Sequence, residues 1–192
     1  MCSDKNFYDI ENRHKELINK AKAYMIAIKD KEHDINHVYD VVEFTKKLLS
    51  KVKLEIDCEV CIISAYWHDV GRIKSEENHE KESAEMLKDT MKLMNYDENL
   101  IFKCYKAIEF HKWSMSPTTT EGLIIKDADK LAWLGKKRWQ NCINNKQRLD
   151  SIVELLPKLR NQILYFQESK ELYDVEIINI LKVLYDELQL IK

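Results

Sequence analysis

Apolar residues recur every three or four positions along most of the chain, the period of a helix that buries one side. Leu17, Ile18, Ala21, Tyr24, Met25 and Ile28 mark a first amphipathic helix, which the polar run Asp30 to Asp34 interrupts. Val38, Val41, Val42, Phe44, Leu48 and Leu49 mark a second, beginning near His37 and ending around Ser50. Residues 58–67, CEVCIISAYW, are apolar on nearly every side, which predicts a central helix surrounded by others. That helix delivers His68 and Asp69 at its end, with Gly71 as its expected stop. Ala84, Leu87, Met91 and Met94 line one side of a helix over 79–94, and a turn at Asn95 to Glu98 leads into another over 99–112. A Ser-Pro-Thr loop at 114–120 precedes a helix over about 121–133. The tail holds two further patterns, Ile152 to Phe166 and Leu172 to Ile191, the second with a stripe of Ile177, Leu181, Leu184 and Leu188. Those stripes could pack inside the domain or across a homodimer, and periodicity does not choose between them.

Composition narrows the class to all-α. Only 3 glycines and 2 prolines occur in 192 residues, too little turn chemistry for a sandwich or barrel. The glycines at 71, 122 and 135 are isolated, which excludes Walker-type and dinucleotide-binding phosphate loops. The length suits one domain spanning 1–192. The 31 basic and 33 acidic side chains nearly cancel, and no basic arm or aromatic ribonucleoprotein pattern occurs, so the balance argues against a nucleic-acid partner. No basic leader opens the chain and no apolar run approaches membrane-spanning length, so a cytoplasmic protein without a membrane partner is expected. Five cysteines argue against a disulfide framework, and Cys58 and Cys61 are expected as buried thiols in the central helix.

The chemistry is expected where separate helix ends meet. His37, the adjacent pair His68-Asp69, and Asp127 and Asp129 offer imidazole nitrogens and carboxylate oxygens, a mixed set suited to Mn, Fe, Co, Ni or Zn. His79 begins one helix and His111 closes the next, so an antiparallel pair would bring both to one end of the bundle. His33 lies one turn before His37, but Asp34 stands where a zincin would need its glutamate; Asp34 is expected to cap the helix. His14 is expected to be solvated. Trp113, Trp133 and Trp139 are expected in the core, with a pocket wall for a stacked base as the alternative.

The ordered set H-D-I-N-H at 33–37, W-H-D-V-G-R at 67–72 and D-A-D-K-L at 127–131 resembles the HD-domain metal-dependent phosphohydrolase superfamily over about residues 20–140. The resemblance implies a compact multi-helix bundle with a metal site between helix ends, on which C-terminal helices over 150–191 would pack. It also implies His37, His68, Asp69 and one late aspartate as ligands of a divalent ion, Mg included. The family pattern A-D-x-L falls on Asp129, and residues two apart on a helix point to opposite sides, so Asp127 is the weaker alternative. In two-metal members, further histidines bind a second ion while the aspartate bridges; His79 and His111 would do so here, or would meet a substrate phosphate. Ala132 departs from the pattern, since aspartate often follows this motif.

The activity implied is hydrolysis of a phosphomonoester or phosphodiester, often of nucleotide type, by metal-activated water. Asp69 would hold or bridge the metal and orient the water, His111 or His79 would protonate the leaving oxygen, and Arg72 and Lys130 would neutralise phosphate charge. The alternatives are a regulatory domain that binds nucleotide or metal without turnover, and oxygenase chemistry on a di-iron pair.

Overall fold

The computed structural model describes residues 4–28, 30, 33–135 and 154–190. The described residues form an all-α bundle without strands. Its helices are α1 (Asp4–Arg13), α2 (Lys15–Ala27), α3 (Ile35–Lys51), α4 (Cys58–Trp67), α5 (His79–Leu93), α6 (Glu98–Ile108), α7 (Thr120–Leu131) and α8 (Gln167–Leu190). Tight 3-10 turns follow α4 at Val70–Ile73 and α7 at Ala132–Leu134. Helix α1 lies ahead of the first stripe noted in the sequence, with Phe7 and Ile10 buried beneath it.

Helix α4 is the axis of the core. Every residue from Val60 to Trp67 is buried, and the helix packs against α1, α2, α3, α5, α6 and α7. An element touched on all sides gains nothing from a polar face, which accounts for its lack of amphipathic pattern.

Local chemistry sets the helix boundaries. Asp34 accepts hydrogen bonds from the backbone N–H groups of Asn36 and His37 at 2.9 and 3.2 Å, so α3 starts two residues before His37. Asp57, Asp97 and Thr119 cap α4, α6 and α7 in the same way. Asn95, at φ 58°, takes the left-handed conformation that lets the chain turn from α5 into α6. Helix α6 ends at Ile108, short of the expected 112, and α7 ends at Leu131 before its 3-10 turn.

Gly71 does more than stop a helix. A Cβ there would lie 2.3 Å from the His79 carbonyl and 2.4 Å from the Ser83 nitrogen. Its N–H donates to Ser83 Oγ at 2.8 Å. The missing side chain therefore lets the turn after α4 press directly on the first turn of α5.

Several sequence expectations need correction. His14 is 4% exposed, because the break between α1 and α2 turns it inward. Cys61 is a buried free thiol, but Cys58 is only half-buried and is disulfide-bonded. Leu181 is 57% exposed; α8 instead buries Leu172, Tyr173 and Ile180, with Ile177 packed against the core. The pattern over 152–166 is not one helix: a helical stretch over 154–158 runs into a π-helical turn at Leu159–Ile163, and the chain is extended at Leu164. Trp139, Ile152, Ile191 and the side chains of Leu184 and Leu188 lie outside the described residues. No helix among the described residues is long and apolar enough to cross a membrane.

Candidate metal centre

Five elements deliver polar side chains to one buried place. His37 comes from the first turn of α3, His68 and Asp69 from the end of α4, and His79 from the start of α5. His111 follows the end of α6, and Asp129 comes from the last turn of α7. All six are buried. The imidazoles of His37, His68, His111 and His79 stand in a row, each 5.3 Å from the next between ring centres.

The ligand atoms fall into two triads, His37–His68–Asp129 and Asp69–His79–His111, each with its donor atoms within 4.8 Å of one another. Asp69 lies between them. Its Oδ2 is 3.6 Å from Nε2 of both His37 and His68, while Oδ1 is 3.4 Å from His79 Nε2 and 3.7 Å from His111 Nε2. A helix end makes this possible, because the chain tightens at Asp69 and swings the carboxylate across the direction of its neighbour.

The histidines are held from behind. His68, His79 and His111 place Nδ1 at 2.9, 2.9 and 2.8 Å from the carbonyl oxygens of Ala65, Glu76 and Ile108, each three residues back. A carbonyl only accepts, so Nδ1 donates its hydrogen and Nε2 presents its lone pair inward. Inside, His68 Nε2 is 3.3 Å from His37 Nε2, which is 3.2 Å from Asp129 Oδ1. Lone pairs this close repel unless a proton or cation lies among them. His111 Nε2 and Asp69 Oδ2 make no hydrogen bond although both are buried. This donor set fits a divalent cation in each triad.

Electrostatics match. Burial pushes His68 down to about 3, so the imidazole is neutral near pH 7, as a ligand must be. Burial lowers His79 and His33 in the same direction. For Asp69, burial works to raise the carboxyl, but His68, His111 and Arg72 outweigh it and hold the group well below the usual carboxylate range. Asp129 is likewise held low against burial, chiefly by Lys130 and then by His37.

Asp127 and Asp129 separate as their spacing on one helix requires. Asp127 is buried on the far side of α7, where its carboxylate accepts the backbone N–H groups of Tyr165 and Phe166 at 3.0 Å. It pins the segment that leads into α8, and burial raises its carboxyl above the ordinary value. Arg72 Nε lies 2.9 Å from Asp69 Oδ2, and its Nη2 donates to His79 Nε2 at 3.3 Å. Lys130 pairs with Asp129. His33 bonds Asp30 at 2.6 Å and sets its ring edge-on to His37. Trp113 and Trp133, both half-buried, meet edge to face at 6.5 Å, close in sequence to His111 and Asp129.

Sequence reasoning missed one residue and one contact. Glu80 is buried beside His79, with Oε2 3.5 Å from Nδ1, and the Arg72–His79 contact joins two motifs read separately. The proximity of H-D-V-G-R to N-H-E was the available signal, but a spacing alone does not reveal how close Gly71 lets them come.

Residues 34–134 match the HD domain family. The chain belongs to this family. Two solved structures resemble it along nearly its whole length. A predicted HD superfamily hydrolase from an uncultured Thermotogales bacterium is 21% identical, with a TM-score of 0.68 over 93% of this chain and 94% of that one. The Lin1889 protein from Listeria innocua is 23% identical, with a TM-score of 0.59 over 91% of this chain and 97% of that one. No curated protein matches the chain.

Proposed function

We propose that this HD-domain protein is a metal-dependent phosphohydrolase that cleaves a phosphomonoester or phosphodiester of a small, nucleotide-type molecule. The observation that carries the reading is Asp69, which turns one carboxylate oxygen toward each of two buried triads of ligand atoms. His37, His68 and Asp129 would hold one divalent ion and His79 and His111 the other, with Asp69 shared. Bound divalent ions supply Lewis acidity and a water of lowered pKa for attack on phosphorus. In this reading His111 and His79 are ligands rather than proton donors, since their Nε2 atoms face Asp69. Arg72 and Lys130, paired in this structure with Asp69 and Asp129, bring the positive charge that a phosphate ester needs. The whole chain 1–192 would act as one domain, in the cytoplasm.

The same shared carboxylate also fits a pair of irons, and oxygenase chemistry is the second reading it favours. The test is metal content of protein purified without chelator, followed by a panel of nucleotides, phosphodiesters and sugar phosphates with Mn, Fe, Co, Ni, Zn or Mg. Metal-dependent phosphate release that Asp69→Ala loses, with its helical circular dichroism intact, is the expected result. Full activity in that variant would overturn the proposal. Two irons with oxygen consumption would favour the second reading, and tight nucleotide binding without product would make this a binding domain.

A further inference from the structure

The Arg72 guanidinium stands inside the second triad. It lies 12% exposed, with Nε 2.9 Å from Asp69 Oδ2 and Nη2 donating to His79 Nε2 at 3.3 Å. Those two side chains are two of that triad's three members. The third, His111, keeps its inner nitrogen without a hydrogen bond. No comparable cation reaches the imidazoles of the first triad: among the described residues, the cation paired there is Lys130, which touches Asp129 and neither His37 nor His68. The two triads are therefore unequal, one with its imidazole lone pairs free of a cationic donor and one with an imidazole lone pair already taken by an arginine.

We infer that Arg72 is an internal counter-cation of the second triad, so that the two metal positions load in order and the second ion must displace the guanidinium from His79. This rests on the two-metal reading above. The lone pair of His79 Nε2 can serve the arginine N–H or a metal ion, but not both. Its other nitrogen is committed to the Glu76 carbonyl, so the ring cannot flip to offer a second lone pair without breaking that bond. A guanidinium beside these ligand atoms also repels an arriving dication. The competition for the His79 lone pair falls on the second position alone, whereas the repulsion reaches both, because Nε meets the Asp69 oxygen that faces the first triad; the second position is therefore weakened more. Gly71 is what makes the contact possible, since it brings Arg72 and His79 together across the turn. Once displaced, the guanidinium has a free face for a phosphate oxygen, so one residue would link ion loading to substrate binding.

The prediction runs opposite to the usual effect of removing a residue beside a metal site. Chelator-stripped wild type titrated calorimetrically with Mn²⁺ should show one tight and one weaker site. In Arg72→Ala the weaker site should tighten about tenfold, equivalent to about 1.4 kcal/mol, and the tight site should tighten by less, since it loses only the Asp69 contact. Phosphate release by the loaded variant should fall, because the phosphate contact is gone. Arg72→Lys should give a smaller tightening, since an ammonium cannot reach Asp69 and His79 as a fork. His79→Ala should remove the weaker site in either background. A second site that is unchanged or weaker in Arg72→Ala, with the thermal midpoint and the lysine variant showing intact folding, would overturn the inference. Wild type that binds no ion with Mn²⁺, Fe²⁺, Co²⁺, Ni²⁺ or Zn²⁺ would overturn the metal reading itself, and the inference with it. Two sites of equal affinity in wild type would overturn the inference alone.

Discussion

His14 and His68 are both buried, on elements that pack against each other, yet their surroundings differ in kind. At the junction of α1 and α2, His14 has a partner on each side: Nε2 donates to Glu59 at 2.7 Å, and Nδ1 bonds the Tyr96 hydroxyl at 3.0 Å. Arg13 holds the same glutamate oxygen, which completes the cluster. His68 is tied on one side only, by the Ala65 carbonyl, and its other nitrogen faces His37 and two carboxylates. His79 and His111 repeat that one-sided arrangement. Burial therefore does not separate a structural histidine from a candidate ligand. What separates them is whether the second nitrogen finds a hydrogen-bond partner that closes the cluster or turns toward other electron-rich atoms that a proton or a cation must reconcile.

That contrast breaks most sharply at His111. His111→Ala should lose the second ion and lower phosphate release by roughly 100-fold or more, the scale on which removing a group that stabilises developing charge acts. Metal content and initial rates check it, and an unchanged stoichiometry would place His111 with His14 instead. Next comes Gly71→Ala. A Cβ at 2.3 Å from backbone should cost about 1–3 kcal/mol in denaturant unfolding, and it should weaken the second ion by moving His79 away from Asp69.

A pH scan of the metal-free protein gives the third test. The folded His68 sits at about 3, below the ordinary histidine value of 6.5, so the unfolded chain takes up a proton that the folded protein refuses. The stability this depressed group contributes is present above pH 6.5 and is lost as pH falls toward 3. Between pH 6.5 and 5 the loss should be about 2 kcal/mol, read as a falling thermal midpoint, and His79 acts in the same direction. A midpoint flat across that range would count against the buried neutral imidazole.

The smallest effects belong to the closed regions. His14→Ala should cost about 1–2 kcal/mol by leaving Glu59 and Tyr96 short of a partner, with metal content and activity at wild-type levels. Asp127→Asn keeps one acceptor oxygen for the Tyr165 and Phe166 amides and should cost about 1 kcal/mol, again without loss of metal. Loss of metal in either variant would erase the distinction between closed and open clusters.

Much of the framework was readable from residue order alone. The α3, α4 and α5 periodicities set three helices to within a few residues, because apolar spacing and the Asp34 cap are local properties. The all-round apolar character of residues 58–67 fixed α4 as the centre for the same reason. Helix α1 escaped notice because Phe7 and Ile10 are too few to stand out as a stripe. His14 was misjudged because its polar neighbours in sequence are not its neighbours in space: Glu59 and Tyr96 lie 45 and 82 residues away.

The candidate site divides in the same way. Sequence by itself determined which residue types were available, in which order, and that Asp127 and Asp129 must face opposite sides of one helix, since side-chain direction along a helix follows from its period. Only the tertiary structure decided that five helix ends meet at one point and that Asp69 turns an oxygen to each triad. It also decided that Arg72 reaches His79. Those contacts depend on how closely separate elements approach, and that distance is set by packing against α4 and by the absent side chain of Gly71, not by spacing along the chain.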